Sequence, residues 1–175
     1  CSNQSQKNRC YLDLNSWMMV LPLKRQKDLL AVVTETEERH SYSNICLNWD
    51  DIIKLDRHPL VTIGAHSHSH SVLSMENEVT ARDEILSSKL LLERRLGHSV
   101  DHFAYPFGST KEAGTREYRL TEECGFRTAT TTNCFRADFS HRFQLPRYGI
   151  SGQTTPAIVE KRIGGLSNLL GRQLA

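Results

Sequence analysis

The sequence predicts an α/β fold in which parallel strands alternate with helices. Apolar or β-branched runs of strand type occur at residues 59–63, 100–105 and 126–132, and helical patterns occupy residues 75–97 and 112–124 between them. Strands separated by helices at this spacing are typical of a parallel sheet, either closed as a barrel or open. A chain of 175 residues is long enough for one such domain with a sizeable core.

The first third of the chain is less regular. Residues 1–15 are polar, and we expect them to be frayed or loosely packed. Residues 23–38 are rich in helix-forming side chains, and Pro22 is suited to the first turn of that helix. Asn48 is expected to cap a short helix over residues 49–55.

Capping residues and glycines set the expected limits of the later elements. Ser74 is the predicted cap of the helix over residues 75–97, which Gly97 ends, and Gly125 ends the next helix. Residues 143–150 contain a further short extended segment. Residues 156–175 resemble a terminal helix that two adjacent glycines interrupt.

Composition excludes several classes of protein. The formal net charge of +2 does not argue for binding to nucleic acid or to an anionic membrane. No run approaches the roughly 18 apolar residues that span a bilayer. The amino terminus has neither an initiating Met nor a signal-peptide core, so we expect a fragment or a processed chain, with a cytoplasmic location slightly favoured.

The cysteines favour reduced thiols. The chain has five, an odd number, and none forms a Cys-x-x-Cys pair. This pattern argues against a zinc ribbon and against a complete disulfide framework.

The most informative stretch is residues 63–74, which contains His66, His68 and His70. An extended backbone would place all three rings on one side, whereas a helical turn would pair His66 with His70 and direct His68 away. Both geometries bring His66 and His70 together as two candidate ligands of a metal such as zinc, and a third ligand must come from elsewhere. The alternative is a polar loop whose histidines form local hydrogen bonds.

These motifs resemble the polysaccharide deacetylases of the NodB-homology class, carbohydrate esterase family 4. The run Thr-Ile-Gly-Ala-His-Ser-His-Ser-His at residues 62–70 is similar to that family's His-Ser/Thr-x-x-His metal motif. Phe-Ala-Tyr-Pro-Phe-Gly at residues 103–108 is similar to its next motif, a loop that lines the active-site groove. The resemblance covers residues 46–175 and includes Leu-Pro-Arg at residues 145–147.

The resemblance implies a distorted (β/α) barrel of the NodB-homology type and metal-dependent removal of acetyl groups from an N-acetylated or O-acetylated sugar polymer. It places a divalent metal, usually zinc, on His66 and His70. The backbone N–H of Phe107 would be the oxyanion donor. Tyr105 and Pro106 would belong to the substrate groove, with His68 as a groove-facing neighbour.

The sequence also departs from the family pattern. The family's first motif, Thr-Phe-Asp-Asp-Gly, supplies the catalytic base and a metal-binding carboxylate, and it is absent here. The adjacent Asp50 and Asp51 do not replace it, because they lie in the first turn of a predicted helix. Ala104 occupies a position where many members have an Arg. The late Leu-x-His motif has no clear counterpart, and His141 is the only candidate for the general acid that remains downstream.

We therefore expect residues 1–45 to be a variable, partly helical insertion or connecting segment. Residues 46–175 would be the C-terminal part of a deacetylase-like barrel that lacks its first strand or strands. An upstream segment of the same protein would supply the missing carboxylates. Two alternatives come from other classes: a catalytically silent carbohydrate-binding or structural module, and a histidine-based metal-storage or metal-sensing protein.

Overall fold

The computed structural model describes residues 3–33, 45–133 and 139–163. Within these residues the chain forms six α-helices and three strands. The helices are α1 (Gln4–Met18), α2 (Leu23–Val33), α3 (Trp49–Asp56), α4 (Glu78–Leu96), α5 (Thr115–Glu123) and α6 (Pro156–Ile163). The strands are β1 (His102–Ala104), β2 (Thr128–Thr131) and β3 (Leu145–Pro146), and 3-10 turns occur at Leu73–Met75 and Phe139–His141.

The three strands form one parallel sheet in the order β1-β2-β3. Ala65 adds a single parallel bridge to Phe103 on the open side of β1. All the strands point the same way, so the sheet has a carboxyl edge, where the strands end, and an amino edge, where they begin. Helix α4 lies between the Ala65 bridge and β1, and α5 lies between β1 and β2, so the predicted parallel α/β class is confirmed. Closure into a barrel stays a prediction.

The strand predicted at residues 59–63 is wrong. Residues 58–60 form a turn in which the Val61 N–H donates to the His58 carbonyl over 3.0 Å. Pairing with β1 begins only at Ala65, whose N–H donates to the His102 carbonyl over 2.8 Å and whose carbonyl accepts from the Ala104 N–H. Within the described residues, the run at 59–63 has no strand partner, and the first residue after it that pairs with β1 is Ala65.

Two other boundaries differ from the prediction. Asn77, rather than Ser74, caps α4 by accepting from the Thr80 N–H over 2.9 Å, because residues 73–75 are taken up by the 3-10 turn. Residues 4–18 form α1, where a looser segment was expected. Asn3 caps this helix through the Gln6 N–H, but α1 buries none of its side chains.

The other element predictions hold where the structure describes them. Asn48 caps α3 through a capping box with Asp51, and Gly97 ends α4 in the left-handed region at φ 82°. Gly125 follows the end of α5 at φ 78°. The predicted continuations of α2 beyond residue 33 and of α6 beyond residue 163 lie outside the described residues.

The core lies between the sheet and the helices α4 and α5. Phe103 of β1 packs against Tyr105 and Phe126, each with 5.2 Å between ring centroids. From the helices, Ile85 and Leu120 are fully buried against this cluster. Burial of several large apolar side chains on one face of the short strands fixes the register, and therefore fixes which residues reach the carboxyl edge.

The described cysteines agree with the expectation of reduced thiols. Cys10 and Cys46 are exposed, Cys124 is buried, and none of these three is in a disulfide. Burial raises the pKa of the Cys124 thiol, which keeps it protonated and unreactive. Residues 1 and 134 lie outside the described part of the chain.

Candidate active site at the carboxyl edge

The histidine loop, residues 66–70, leaves the sheet directly after the Ala65 bridge. Its backbone is neither a strand nor a helical turn, because Ser67 and His70 both lie in the left-handed region, at φ 61° and 56°. The loop nevertheless brings the rings of His66 and His70 together, with 4.8 Å between their centroids. The predicted contact between His66 and His70 is therefore present, although neither predicted backbone geometry is, and their role as metal ligands stays a prediction.

His66 is held by the end of β1. Its Nδ1 lies 2.6 Å from the carbonyl oxygen of Ala104. A hydrogen bond of this kind places the ring proton on Nδ1 and leaves Nε2 as an unprotonated acceptor, the arrangement that orients metal-binding histidines in many proteins. Burial lowers the pKa of His66, with smaller contributions from the nearby His70 and Arg147, so the ring favours its neutral form.

His70 is held differently. Its ring meets the ring of Phe107 edge to face, with 5.0 Å between centroids, and the residue is exposed to solvent. Within the described residues no hydrogen bond fixes its imidazole. His68, between the two, is also exposed.

Phe107 lies in a tight turn after β1. This turn places Phe107 at φ 59° and Gly108 at φ 75°, both left-handed. The Gly108 N–H donates to the Pro106 carbonyl, and the Gly108 carbonyl accepts from the Thr132 N–H over 2.8 Å. Within the described part of the chain, no acceptor takes the N–H of Phe107. That donor belongs to the residue whose ring contacts His70.

Arg147 fixes the same turn from the far end of β3. Its Nη2 donates to the Tyr105 carbonyl over 2.7 Å and lies 3.5 Å from the Phe107 carbonyl. Burial lowers the pKa of this guanidinium, which still remains charged at neutral pH. Arg147 therefore brings a positive charge to the carboxyl edge on a strand other than β1, where Ala104 supplies none.

Two predicted groove residues are core residues instead. Tyr105 is 0 % exposed, and its hydroxyl donates to the Phe143 carbonyl over 3.2 Å. Pro106 is also fully buried. The groove assignment is therefore wrong for these two side chains, because Tyr105 packs beside Phe103 in the core and Pro106 is buried in the turn, whose exposed member is Phe107.

His141 lies at the other side of the sheet. It precedes β3, and the carbonyl of its neighbour Arg142 accepts from the Ala129 N–H near the start of β2. There it lines a pocket of about 250 Å³ with residues of α5 such as Tyr118 and Glu122. Its position at the amino edge contradicts a role as general acid beside His66.

The fit of a metal can be judged from the donor set. The imidazole rings of His66 and His70 lie 4.8 Å apart between centroids, and the hydrogen bond of His66 Nδ1 leaves its Nε2 free, which fits two ligands of a zinc-type site. No group of three or more His, Cys, Asp or Glu side chains suited to a metal occurs among the described residues. Asp50 and Asp51 lie in the first turn of α3, as predicted, and not in such a group.

Sequence reasoning missed two residues that shape the site. The sequence indicated Arg147 only as part of the Leu-Pro-Arg motif, inside the extended segment predicted at residues 143–150, whereas in the structure it directly follows β3. Glu84 of α4 binds the backbone and hydroxyl of Ser69 in the histidine loop. No local pattern connects residues 69 and 84, so this contact could not be found without the fold.

The fold and the site together define a parallel α/β domain whose paired histidines and backbone donor meet at the carboxyl edge, where enzymes of this architecture carry their chemistry. Residues 16–129, more than half of the chain, match the family model for polysaccharide deacetylases. The chain belongs to the polysaccharide deacetylase family. The match begins within the segment that was assigned to an insertion.

Solved structures of deacetylases share the fold. The chain is similar to the Streptococcus pyogenes deacetylase PplD in complex with acetate, at a TM-score of 0.61 and 17% identity over 75% of this chain and 54% of that one. It is also similar to BC0361, a polysaccharide deacetylase from Bacillus cereus, at a TM-score of 0.56 and 20% identity, covering 67% of this chain and 37% of that one. IcaB from Ammonifex degensii gives a TM-score of 0.50 and 17% identity over 66% of this chain and 53% of that chain.

The chain thus spans about half or less of the length of these relatives. No curated protein matches the sequence. None of the helices in the described residues has the length and apolar character needed to cross a membrane.

Proposed function

We propose that this chain carries part of the active site of a metal-dependent hydrolase that removes acetyl groups from an N-acetylated or O-acetylated sugar polymer or oligosaccharide. The observation that carries the proposal is the orientation of the His66 ring. Its Nδ1 is hydrogen-bonded to the Ala104 carbonyl, so Nε2 is left unprotonated next to His70 and can bind a metal. The acetate in the PplD complex is consistent with acetyl-group chemistry in a protein of this fold.

His66 and His70 are the residues that would hold the metal. A divalent cation such as zinc supplies, when bound, a Lewis acid for the acetyl carbonyl and a lower pKa for its water. The lowered pKa of His66 favours the neutral ring that such binding requires. The family's carboxylate ligand and catalytic base would come from a segment other than the described residues, upstream of them in the family order.

The Phe107 N–H would stabilise the developing oxyanion. Its carbonyl accepts from the Thr132 hydroxyl over 3.0 Å, and Arg147 holds the preceding carbonyl of Tyr105. With both flanking peptide groups fixed, the N–H keeps its direction without further reorganisation. The exposed His68 would lie beside the sugar chain rather than bind the metal.

The first test is zinc binding to the purified full-length protein, which would include the segment that supplies the carboxylates, measured by competition with a chromophoric chelator. We expect one zinc per chain, and we expect His66→Ala and His70→Ala each to reduce affinity at least 100-fold, because each removes a nitrogen ligand. His68→Ala is the matched control within the same loop and should keep its zinc. Unchanged zinc affinity in both ligand variants would exclude the metal site.

The second test separates an enzyme from a silent module. The absence of a third metal-binding side chain among the described residues favours the alternative that this chain binds carbohydrate without hydrolysing it. Release of acetate from chitin oligomers or peptidoglycan fragments, abolished by chelation and restored by zinc, would rule out that alternative. Zinc binding without acetate release would support it.

A further inference from the structure

The two histidines are anchored unequally. The His66 ring is bound directly to the Ala104 carbonyl, whereas no described residue hydrogen-bonds the His70 ring. The position of His70 therefore depends on the backbone of the histidine loop. That backbone includes two non-glycine residues in the left-handed region, Ser67 and His70, a conformation that persists only where its surroundings impose it.

One residue outside the loop supplies most of that constraint. The carboxylate of Glu84, on the second turn of α4, accepts the Ser69 N–H over 2.8 Å through one oxygen and the Ser69 hydroxyl through the other. The backbone carbonyl of Glu84 accepts the His68 N–H over 3.0 Å. Three hydrogen bonds thus join a single helical residue to the two loop residues that precede His70.

We propose that Glu84 is a positioning residue that sets the His70 ring for metal binding. This inference rests on the proposed metal function of the histidine pair. Hydrogen bonds to an ionised carboxylate are stronger than those between neutral groups, and both oxygens of Glu84 are used on one residue. Ser69 immediately precedes His70, so fixing its N–H fixes the peptide plane from which the His70 side chain departs.

Glu84 acts without being part of the packed core. It is half-buried, and a hollow of about 590 Å³ between α2 and the start of α4 opens next to Glu84 and Ser69. Substitution at residue 84 consequently disturbs the loop without opening a cavity in the core. Asp83, its exposed neighbour on α4, provides a control with the same change of charge.

The experiment compares Glu84→Ala, Glu84→Gln, Ser69→Ala and the control Asp83→Asn in the same purified full-length protein. The readouts are zinc affinity and, without metal, the NMR resonances of the imidazole rings, assigned with His66→Ala and His70→Ala. We expect Glu84→Ala to weaken zinc binding about 10- to 100-fold, the range for lost supporting contacts. The His70 resonances should shift while those of His66 stay in place.

The other variants should differ in how much zinc affinity they lose. Glu84→Gln keeps an oxygen acceptor for the Ser69 N–H and should lose less affinity than Glu84→Ala, whereas Asp83→Asn should match the wild type. The double variant Ser69→Ala/Glu84→Ala should lose less than the two single losses combined, because both remove the same contact.

Two outcomes would overturn the inference: zinc affinity within twofold of wild type in Glu84→Ala, or equal shifts of both histidine rings, which indicate a general loss of structure. Failure of the wild type to bind zinc would instead refute the proposed function. The metal-free ring spectra would then still decide whether Glu84 positions His70.

Discussion

Residues with left-handed backbone occur at both edges of the sheet, but the two edges use different residue types for them. At the amino edge, left-handed backbone is assigned to glycine, at Gly97 and Gly125, where it costs little. At the carboxyl edge Gly108 adopts it as well, but so do Ser67, His70 and Phe107, each of which carries a Cβ. Non-glycine residues in this region cost roughly 1–3 kcal/mol each, and such costs concentrate where geometry serves function.

The polar groups of the two edges differ in the same way. At the amino edge, exposed ion pairs such as Arg127 with Asp101 lie in solvent, where they add little stability. At the carboxyl edge, the hydroxyls of Ser67 and Ser71 are buried with no hydrogen-bond partner in the described part of the chain. The carboxyl edge therefore carries both backbone strain and unsatisfied polar groups, and the amino edge is relaxed.

The largest expected effect compares one glycine from each edge. A Cβ at Gly108 would lie 2.9 Å from Arg147 Nη2, 3.1 Å from the Tyr105 carbonyl oxygen and 3.2 Å from the Thr132 nitrogen, whereas a Cβ at Gly97 meets nothing within 4 Å. We expect Gly108→Ala to lower the free energy of unfolding by about 2–4 kcal/mol and Gly97→Ala by about 1 kcal/mol. Urea denaturation of both variants measures the difference.

Gly97→Ala is the control for backbone conformation alone, because both positions have positive φ. Equal losses in the two variants would show that the turn after β1 tolerates a side chain. The contacts of Arg147 with that turn would then be looser than the distances in the structure indicate.

A smaller effect, of opposite sign, should follow from Ser71→Ala. Ser71 is 1% exposed and its hydroxyl is unsatisfied within the described residues, so removing that oxygen removes a desolvation cost. We expect the free energy of unfolding to rise by about 1 kcal/mol. The buried Thr121 hydroxyl, which donates to the Glu117 carbonyl over 2.8 Å, is the contrasting case.

Thr121→Val should accordingly lower the free energy of unfolding by about 1 kcal/mol, the usual value of one hydrogen bond. Thermal and urea unfolding of Ser71→Ala and Thr121→Val tests whether the free energy of unfolding rises in the first variant and falls in the second. A loss of stability in Ser71→Ala would contradict the view that this edge holds an unsatisfied group.

The two edges also explain which parts of the site could be predicted. The His66 and His70 pair follows from a local spacing, so the sequence alone indicated it. The contacts that hold the histidine loop and the turn at Phe107 connect residues 38, 15 and 42 positions apart, namely His66 with Ala104, Ser69 with Glu84, and Arg147 with Tyr105. Contacts of that separation depend on strand order, which the hydrophobic pattern does not specify.

The errors in the fold have a similar origin. Residues 59–63 have the composition of a strand, but strand formation requires a neighbour, and in the described residues the chain reaches β1 only at Ala65. Tyr105 was assigned to a groove because it belongs to a loop motif. The alternation of side chains along β1 instead directs it into the core, next to Phe103.

The smallest expected effect concerns titration at the amino edge. His98 Nε2 lies 2.7 Å from the Asp56 carboxylate, which raises the pKa of His98 above 6.5, with help from the Ser99 carbonyl and the Asp101 charge. A raised pKa means that the pair stabilises the fold fully below pH 6.5, and that this contribution is lost as the pH rises through the folded pKa. NMR titration of the His98 ring measures this directly.

Asp56→Asn should bring the His98 pKa back toward 6.5, because Asp56 is the largest cause of the shift. About 1 M salt should have a similar but weaker effect on the wild type, since the pair is exposed and screened by ions. An unchanged His98 pKa in Asp56→Asn would contradict the ion pair between α3 and the residues before β1. Asp56→Asn should change the midpoint of thermal unfolding only slightly, because an ion pair at the protein surface adds little stability.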